Sequence, residues 1–62
     1  MWTVVYMTQN ENHANKLMEI LHSESILAKI RNAGEDSGCF EVLVPQTELN
    51  AAQNLIFEND LL

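Results

Sequence analysis

The sequence has few of the residues with which small domains reinforce a fold. It contains a single cysteine, Cys39, so no disulfide can form within the chain. Proline and glycine are also scarce, with one proline and two glycines. No apolar run approaches the ~20 residues that a membrane-spanning helix needs, and the first residues lack the basic segment and cleavage site of a signal peptide. One thiol without an export signal predicts a cytoplasmic location.

Positive charge is also scarce. Three Lys/Arg stand against nine Asp/Glu, which gives a formal net charge of −6 and a sequence pI of about 4.5. Nucleic acids and anionic membrane surfaces are bound by clustered basic residues. Lys16, Lys29 and Arg31 form no such cluster in the sequence. We therefore expect neither nucleic acid nor membrane among the partners.

The length of 62 residues allows a single domain, spanning 1–62. The hydrophobic fraction of 47% is typical of a globular chain. A domain of this size buries only about 60% of the surface that its unfolded chain exposes, so its stability margin is small. Without a disulfide, the usual remaining sources of stability are a metal or a partner subunit. Together with the uncovered sheet face and the edge strand described below, the small stability margin favours a homo-oligomer, most simply a dimer.

Hydrophobic periodicity predicts five elements in the order β-α-β-β-α. Alternating or β-branched stretches indicate the strands, and apolar residues at i, i+3, i+4 and i+7 indicate the helices. The predicted elements are a strand at 2–8, a helix from a cap at Thr8 or Asn10 to about Ser23, strands at 26–31 and 39–44, and a helix from a cap at Thr47 to a cap at Asn59.

This order predicts an α+β domain of the ferredoxin-like type, a split βαββα unit. A right-handed crossover carries the chain from strand one to a parallel position, and strands two and three form a hairpin. Inserting strand three between the others gives a three-stranded antiparallel or mixed sheet of order 2-3-1, with both helices on one face. A hairpin register that pairs Lys29 with Glu41 and Leu27 with Leu43 places an opposite-charge pair and an apolar pair on the same face.

Two helices on one face leave the other face uncovered. The predicted register assigns Leu27, Lys29, Arg31, Cys39, Glu41 and Leu43 to that uncovered face. Strand one adds either Trp2, Val4 and Tyr6 or Thr3, Val5 and Met7. Strand one is also an uncharged edge, and such edges are normally blocked or paired. Both features favour self-association.

The sequence resembles a family of short prokaryotic signal-transducing proteins whose function is unknown. The similar stretches are Trp2-Thr3-Val4-Val5-Tyr6, Glu24–Arg31, Phe40–Pro45 and Glu48–Leu55. The resemblance implies a βαββα fold related to the PII signal proteins, and makes the loop at 32–38 a shortened counterpart of the PII signalling loop. The family usually has glycine where Ser25 stands, which predicts a different end for the first helix. The basic residues and glycines that hold nucleotide phosphates in PII proteins have no counterpart, so no cofactor is implied.

Candidate catalytic or metal-binding residues do not combine in the sequence. His13 and His22 lie nine residues apart on one predicted helix, which places them about 180° apart and prevents a shared metal ion. Cys39 has no Cys-x-x-Cys partner and begins the third predicted strand beside the acidic loop, so we expect it to be a small packing residue. Glu35 and Asp36 are expected to be solvated acids of the loop. We therefore expect no metal site and no enzyme activity.

These observations predict a small cytoplasmic regulatory or signal-transducing module that acts through self-association and a protein partner. The predicted partner-binding residues on the uncovered face are Trp2, Tyr6, Leu27 and Leu43. The predicted loop residues are Gly34, Glu35, Asp36 and Gly38. The alternative is a small-molecule sensor that holds its ligand between subunits.

Overall fold

The computed structural model describes residues 1–34 and 38–59, and its elements follow the predicted order. A short 3₁₀ turn between the third strand and the second helix is the addition to that order. The elements are β1 (Trp2–Thr8), α1 (Glu11–Ser23), β2 (Lys29–Asn32), β3 (Phe40–Pro45), the 3₁₀ turn (Gln46–Glu48) and α2 (Leu49–Glu58).

The three strands form one sheet in which β3 lies between β1 and β2. Both neighbours are antiparallel to β3, so β1 and β2 run parallel to each other, and each pairs with β3 and not with the other. This confirms the split βαββα arrangement and the strand order 2-3-1, and shows that the described sheet is antiparallel.

The register of the β2–β3 hairpin differs from the prediction by two residues. Lys29 lies opposite Leu43, and Arg31, instead of Lys29, lies opposite Glu41. Arg31 donates from Nε and Nη2 to Oε1 of Glu41, at 2.9 and 2.7 Å. The amide of Ala33 donates to the carbonyl of Cys39 at 2.9 Å and continues the same register into the loop. A slip of two residues leaves each side chain on its predicted face.

The core lies between the two helices and one face of the sheet. Leu17, Leu21, Val42 and Val44 are its largest fully buried side chains. The whole buried cluster consists of Ala14, Leu17, Leu21, Ile26, Val42, Val44, Ala52 and Ile56. Because residues of α1 and α2 share one cluster with β3, both helices cover the same face, as predicted.

Helix α1 begins at a side-chain cap and ends in a left-handed residue. The side chain of Asn10 accepts a hydrogen bond from the amide of His13 at 3.1 Å, which selects Asn10 over Thr8 as the N-cap. At the other end Ser25 has φ of 64°. The amide of Ile26 donates to the Leu21 carbonyl, and that of Ser25 to the His22 carbonyl. These bonds form a Schellman motif, the arrangement that usually contains glycine. The expectation of a different helix end is therefore wrong.

Helix α2 begins differently from the prediction. Thr47 lies inside the 3₁₀ turn and makes no side-chain capping bond. Pro45 ends β3, and the 3₁₀ turn feeds directly into the helix. The predicted C-cap is correct, since both the backbone amide and Nδ2 of Asn59 donate to the carbonyl of Leu55.

Candidate functional site

The face of the sheet that points away from both helices is the candidate site, and we refer to it as the open face. The ladder pairs define three rows of side chains across it, which run from β1 through β3 to β2. The middle row is Val4, Leu43 and Lys29, and the next is Met7, Glu41 and Arg31. The first row pairs Trp2 with Pro45. Leu27 precedes β2, and its neighbours Ile26 and Ala28 both pack on the core side, so the Leu27 side chain lies on the side of the open face.

A β-bulge in β1 decides which of its residues reach the open face. Val4 pairs with Leu43 and Tyr6 with the adjacent Val42, so Val5 is an extra residue in the strand. Val5 and Tyr6 therefore both pack against the core. The open face receives Trp2 and Val4 from before the bulge and Met7 from after it. Neither predicted half of strand one is correct, because strict alternation fails at the bulge.

Tyr6, a predicted partner-binding residue, lies on the helix side of the sheet. It packs against the core cluster, and its ring meets that of His13 on α1 edge to face, with the centroids 5.4 Å apart. A side chain held between strand and helix cannot contribute to the open face. The prediction that Tyr6 lies on the open face is wrong for this reason.

Leu43 lies on the predicted face but is covered by its own chain. Its exposure is 3%, although it does not belong to the core cluster between sheet and helices. The Nζ atom of Lys29 lies 4.3 Å from the centroid of the Trp2 ring. These two side chains come from the strands on either side of β3, so their contact spans the middle strand where Leu43 lies. Leu43 therefore lies under the contact between Trp2 and Lys29 and adds almost no exposed surface to the open face.

Four apolar side chains of the open face are exposed to solvent. Trp2 is 41% exposed, Val4 38%, Met7 53% and Leu27 66%. Trp2 and Leu27 are predicted site residues that the structure places together with Val4 and Met7. The prediction did not name Val4 and Met7 as site residues, because only the bulge position puts both on one face.

Charge divides the open face lengthwise. Lys29 and Arg31 both lie on β2, whereas the exposed residues of β1 on this face are apolar. Glu41, on the middle strand, is paired with Arg31; the two side chains are 13% and 60% exposed. The open face thus carries a formal charge of +1. The helices and their ends carry Glu11, Glu19, Glu24, Glu48 and Glu58 against Lys16, a formal −4.

Of the predicted loop residues, the structure describes the two glycines. Gly34 and Gly38 are exposed. Gly38 has φ of 67°, and beyond its own residue and its two chain neighbours nothing lies within 4 Å of the position that a Cβ would occupy. The positive φ therefore favours glycine at this position, and close packing does not. Glu35 and Asp36 lie outside the described residues.

The histidines and the cysteine have separate surroundings. His13 is half-buried beside Tyr6, while Nε2 of the exposed His22 lies 3.1 Å from the carbonyl oxygen of Ala28. Cys39 is half-buried just before β3. Within residues 1–34 and 38–59, no three His, Cys, Asp or Glu side chains come together as a metal site would require.

An open groove of about 280 Å³ lies on the helix side, between β1 and α2. The groove is lined by Val5, Gln53, Ile56 and Phe57. Phe57 is 77% exposed at its rim. The groove presents one polar side chain and lies away from the open face.

Comparison with models of known protein families gives no match, and no curated protein is significantly similar in sequence. The resemblance to prokaryotic signal-transducing proteins accordingly stays a prediction. In the part of the chain that the structure describes, no helix has the length and apolar character needed to cross a membrane.

Proposed function

We propose that the protein is a small regulatory binding module without catalytic activity, which acts through protein contacts made by its open face. These contacts include self-association and the binding of a partner protein. The exposure of Trp2, Val4, Met7 and Leu27 on one face supports the proposal most directly. Apolar side chains grouped in this way on a small domain typically mark an interaction surface.

The strand edges are less suited to such contacts than the open face. The edge strand β2 has four residues, among them Lys29 and Arg31, and short charged edges resist pairing. The edge strand β1 contains the bulge at Val5, and bulges twist an edge away from a regular ladder. The sequence alone predicted an unprotected edge at β1. Because the bulge interrupts that edge, we propose the open face as the contact surface instead.

Charge also favours the open face for contact between copies. The helix side, with its formal charge of −4, would repel the same side of a second acidic chain. The open face carries only +1 and presents four exposed apolar side chains. At physiological ionic strength charges are screened over about 8 Å, while the thinnest dimension of the molecule is 15 Å. The acidic helices therefore oppose contact between two open faces only weakly.

Native mass, measured by sedimentation across a hundredfold range of protein concentration, tests the proposal. We expect the mean mass to rise with concentration for the natural sequence. Met7→Ser should reduce this rise, because it removes an exposed apolar side chain from the open face. Phe57→Ser is the matched control, since Phe57 is exposed on the helix side. A constant monomer mass would contradict self-association, and an equal effect of both substitutions would contradict the assignment to the open face.

A further inference from the structure

We infer that the partner of the open face is an amphipathic helix with acidic residues along one side of its apolar stripe. This inference rests on the proposed function of the open face as a protein-binding surface. This helix would lie parallel to the strands. Its apolar stripe would contact Trp2, Val4 and Met7, and its acidic side would face Lys29 and Arg31.

The distribution of side chains across the open face supports a partner of this polarity. The exposed residues of the open face on β1 form an apolar row along the strand, and Lys29 and Arg31 form a parallel row on β2, preceded by the exposed Leu27. Arg31 is also paired with Glu41, so the excess charge of this edge is a formal +1. Two of the three basic residues of the chain thus lie along one edge of one face, although the whole chain carries −6. A ligand that is apolar along one side and acidic along the other complements both rows at once.

The dimensions of the open face fit one helix. Three strands about 4.8 Å apart present a surface roughly 14 Å wide, and the seven residues of β1 extend about 23 Å. An α-helix with its side chains is about 10–12 Å in diameter, and about 15 helical residues cover the length of β1. A single helix therefore covers the exposed row of β1 and still reaches the cations of β2.

A second copy of the chain fits the same face less well. The open face measures roughly 14 by 23 Å in projection, which is small for a stable dimer, whose partners each bury about 800 Å² of accessible surface. Two open faces in contact also bring together two surfaces that each carry a formal +1. Self-association is therefore expected to be weak, and an acid-flanked helix is expected to compete with it.

Trp2 provides a direct reporter for the test, because it is the single tryptophan of the chain and lies on the open face. The probes are two synthetic amphipathic peptides of about 15 residues, the length that spans β1. They share one leucine stripe and differ only in the residues along one side of it, which are Glu in one peptide and Lys in the other. We expect the Glu peptide to change Trp2 emission saturably, and the Lys peptide to bind at least tenfold more weakly.

Charge-removing variants locate the site. Arg31→Gln and Lys29→Gln should each weaken binding of the Glu peptide about threefold, within the range of exposed ion pairs. Lys16→Gln removes the same charge from α1 on the opposite side, and should leave the affinity unchanged. Calorimetry gives the affinities of the Lys29 variant, since Lys29 contacts the reporter ring. Circular dichroism establishes that each variant is folded, and the comparison of the two peptides needs no variant at all.

Three outcomes would overturn the inference. Equal affinity for the two peptides would mean that charge does not select the partner. Equal losses in the Arg31 and Lys16 variants would mean that only net charge matters. No binding of either peptide, combined with a mass that rises with protein concentration, would assign the open face to a second copy; the proposed function would then stand and this inference would fail. No peptide binding with a constant monomer mass would contradict both.

Discussion

At the scale of single residues, Ser25 shows how a local cost can be tolerated at a helix end. It adopts φ of 64° and completes a Schellman motif, with Leu21 and Ile26 buried on either side of the turn. Left-handed backbone is unfavourable for a residue with a Cβ. The hydrogen bonds and the buried pair hold the turn in spite of that cost.

Replacement of Ser25 by glycine should therefore stabilise the protein. We expect Ser25→Gly to raise the free energy of unfolding by about 1 kcal/mol, because glycine adopts positive φ without the Cβ penalty. Ser23→Gly, two residues earlier and inside α1, should lower it by about 0.5 kcal/mol. Urea denaturation measures both changes, and a destabilising effect of Ser25→Gly would contradict the assigned conformation.

The contact between Lys29 and Trp2 is a second feature of the residue scale. It joins β2 to β1 across the open face and shields Leu43. Lys29→Ala should lower the free energy of unfolding by about 1 kcal/mol, since it removes a cation–π contact and the aliphatic stem over Leu43. Lys16→Ala, at an exposed position of α1, should change it by less than 0.5 kcal/mol. Equal effects of the two substitutions in thermal or urea unfolding would contradict a supporting role for Lys29.

At the scale of elements, the cap of α1 has a clear thermodynamic consequence. Asn10 accepts a hydrogen bond from the amide of His13, one of the amides that a helix leaves without an internal partner. Asn10→Ala should lower the free energy of unfolding by about 1 kcal/mol. Asn12→Ala lies within the first turn of the helix and introduces a better helix former, so it should not destabilise. A loss at position 12 as large as that at position 10 would show that Asn10 does not cap the helix.

The order and type of the elements were predictable from the sequence, because each carries a local pattern. The strand predicted at 26–31 is shorter in the structure, Lys29–Asn32, because Ile26 belongs to the turn that ends α1. The boundaries of β1 are the predicted ones. The i, i+3, i+4 and i+7 positions of the first predicted helix are Ala14, Leu17, Met18 and Leu21; three of them are buried, and Met18 is half-buried.

The start of α2 was not predictable in the same way. Thr47 has the chemistry of a cap, but the 3₁₀ turn after Pro45 occupies that position. This turn depends on the direction in which the chain leaves the sheet after Pro45, and local propensity does not determine that direction.

The register and the bulge also lay beyond local reasoning. Two hairpin registers that differ by two residues keep the same faces, and each offers Glu41 a basic partner. Only the geometry of the whole hairpin selects Arg31 over Lys29. No residue type in β1 indicates the bulge at Val5. The bulge nevertheless places Tyr6 on the helix side and Met7 on the open face. The candidate site was therefore predicted correctly as a face but only partly as a set of residues.

At the scale of the whole molecule, charge and apolar surface are separated. The carboxylates of the described helices lie on one side, and the exposed apolar row with two of the three basic residues lies on the other. This separation follows from the topology, since two helices cover one face of a three-stranded sheet. On the proposed function, this separation lets the open face of an acidic chain contact another protein without strong repulsion.

Amide chemical shifts recorded across a hundredfold range of protein concentration test this account most directly. A domain of 7.0 kDa is well suited to the measurement. We predict that the shifts that change with concentration cluster at Trp2, Val4, Met7 and Leu27, with smaller changes along α1 and α2. Changes confined to the helices would place the contact surface on the wrong side of the sheet. Shifts that stay constant over the whole range, with no response to the Glu peptide, would contradict the open face as a protein-binding surface.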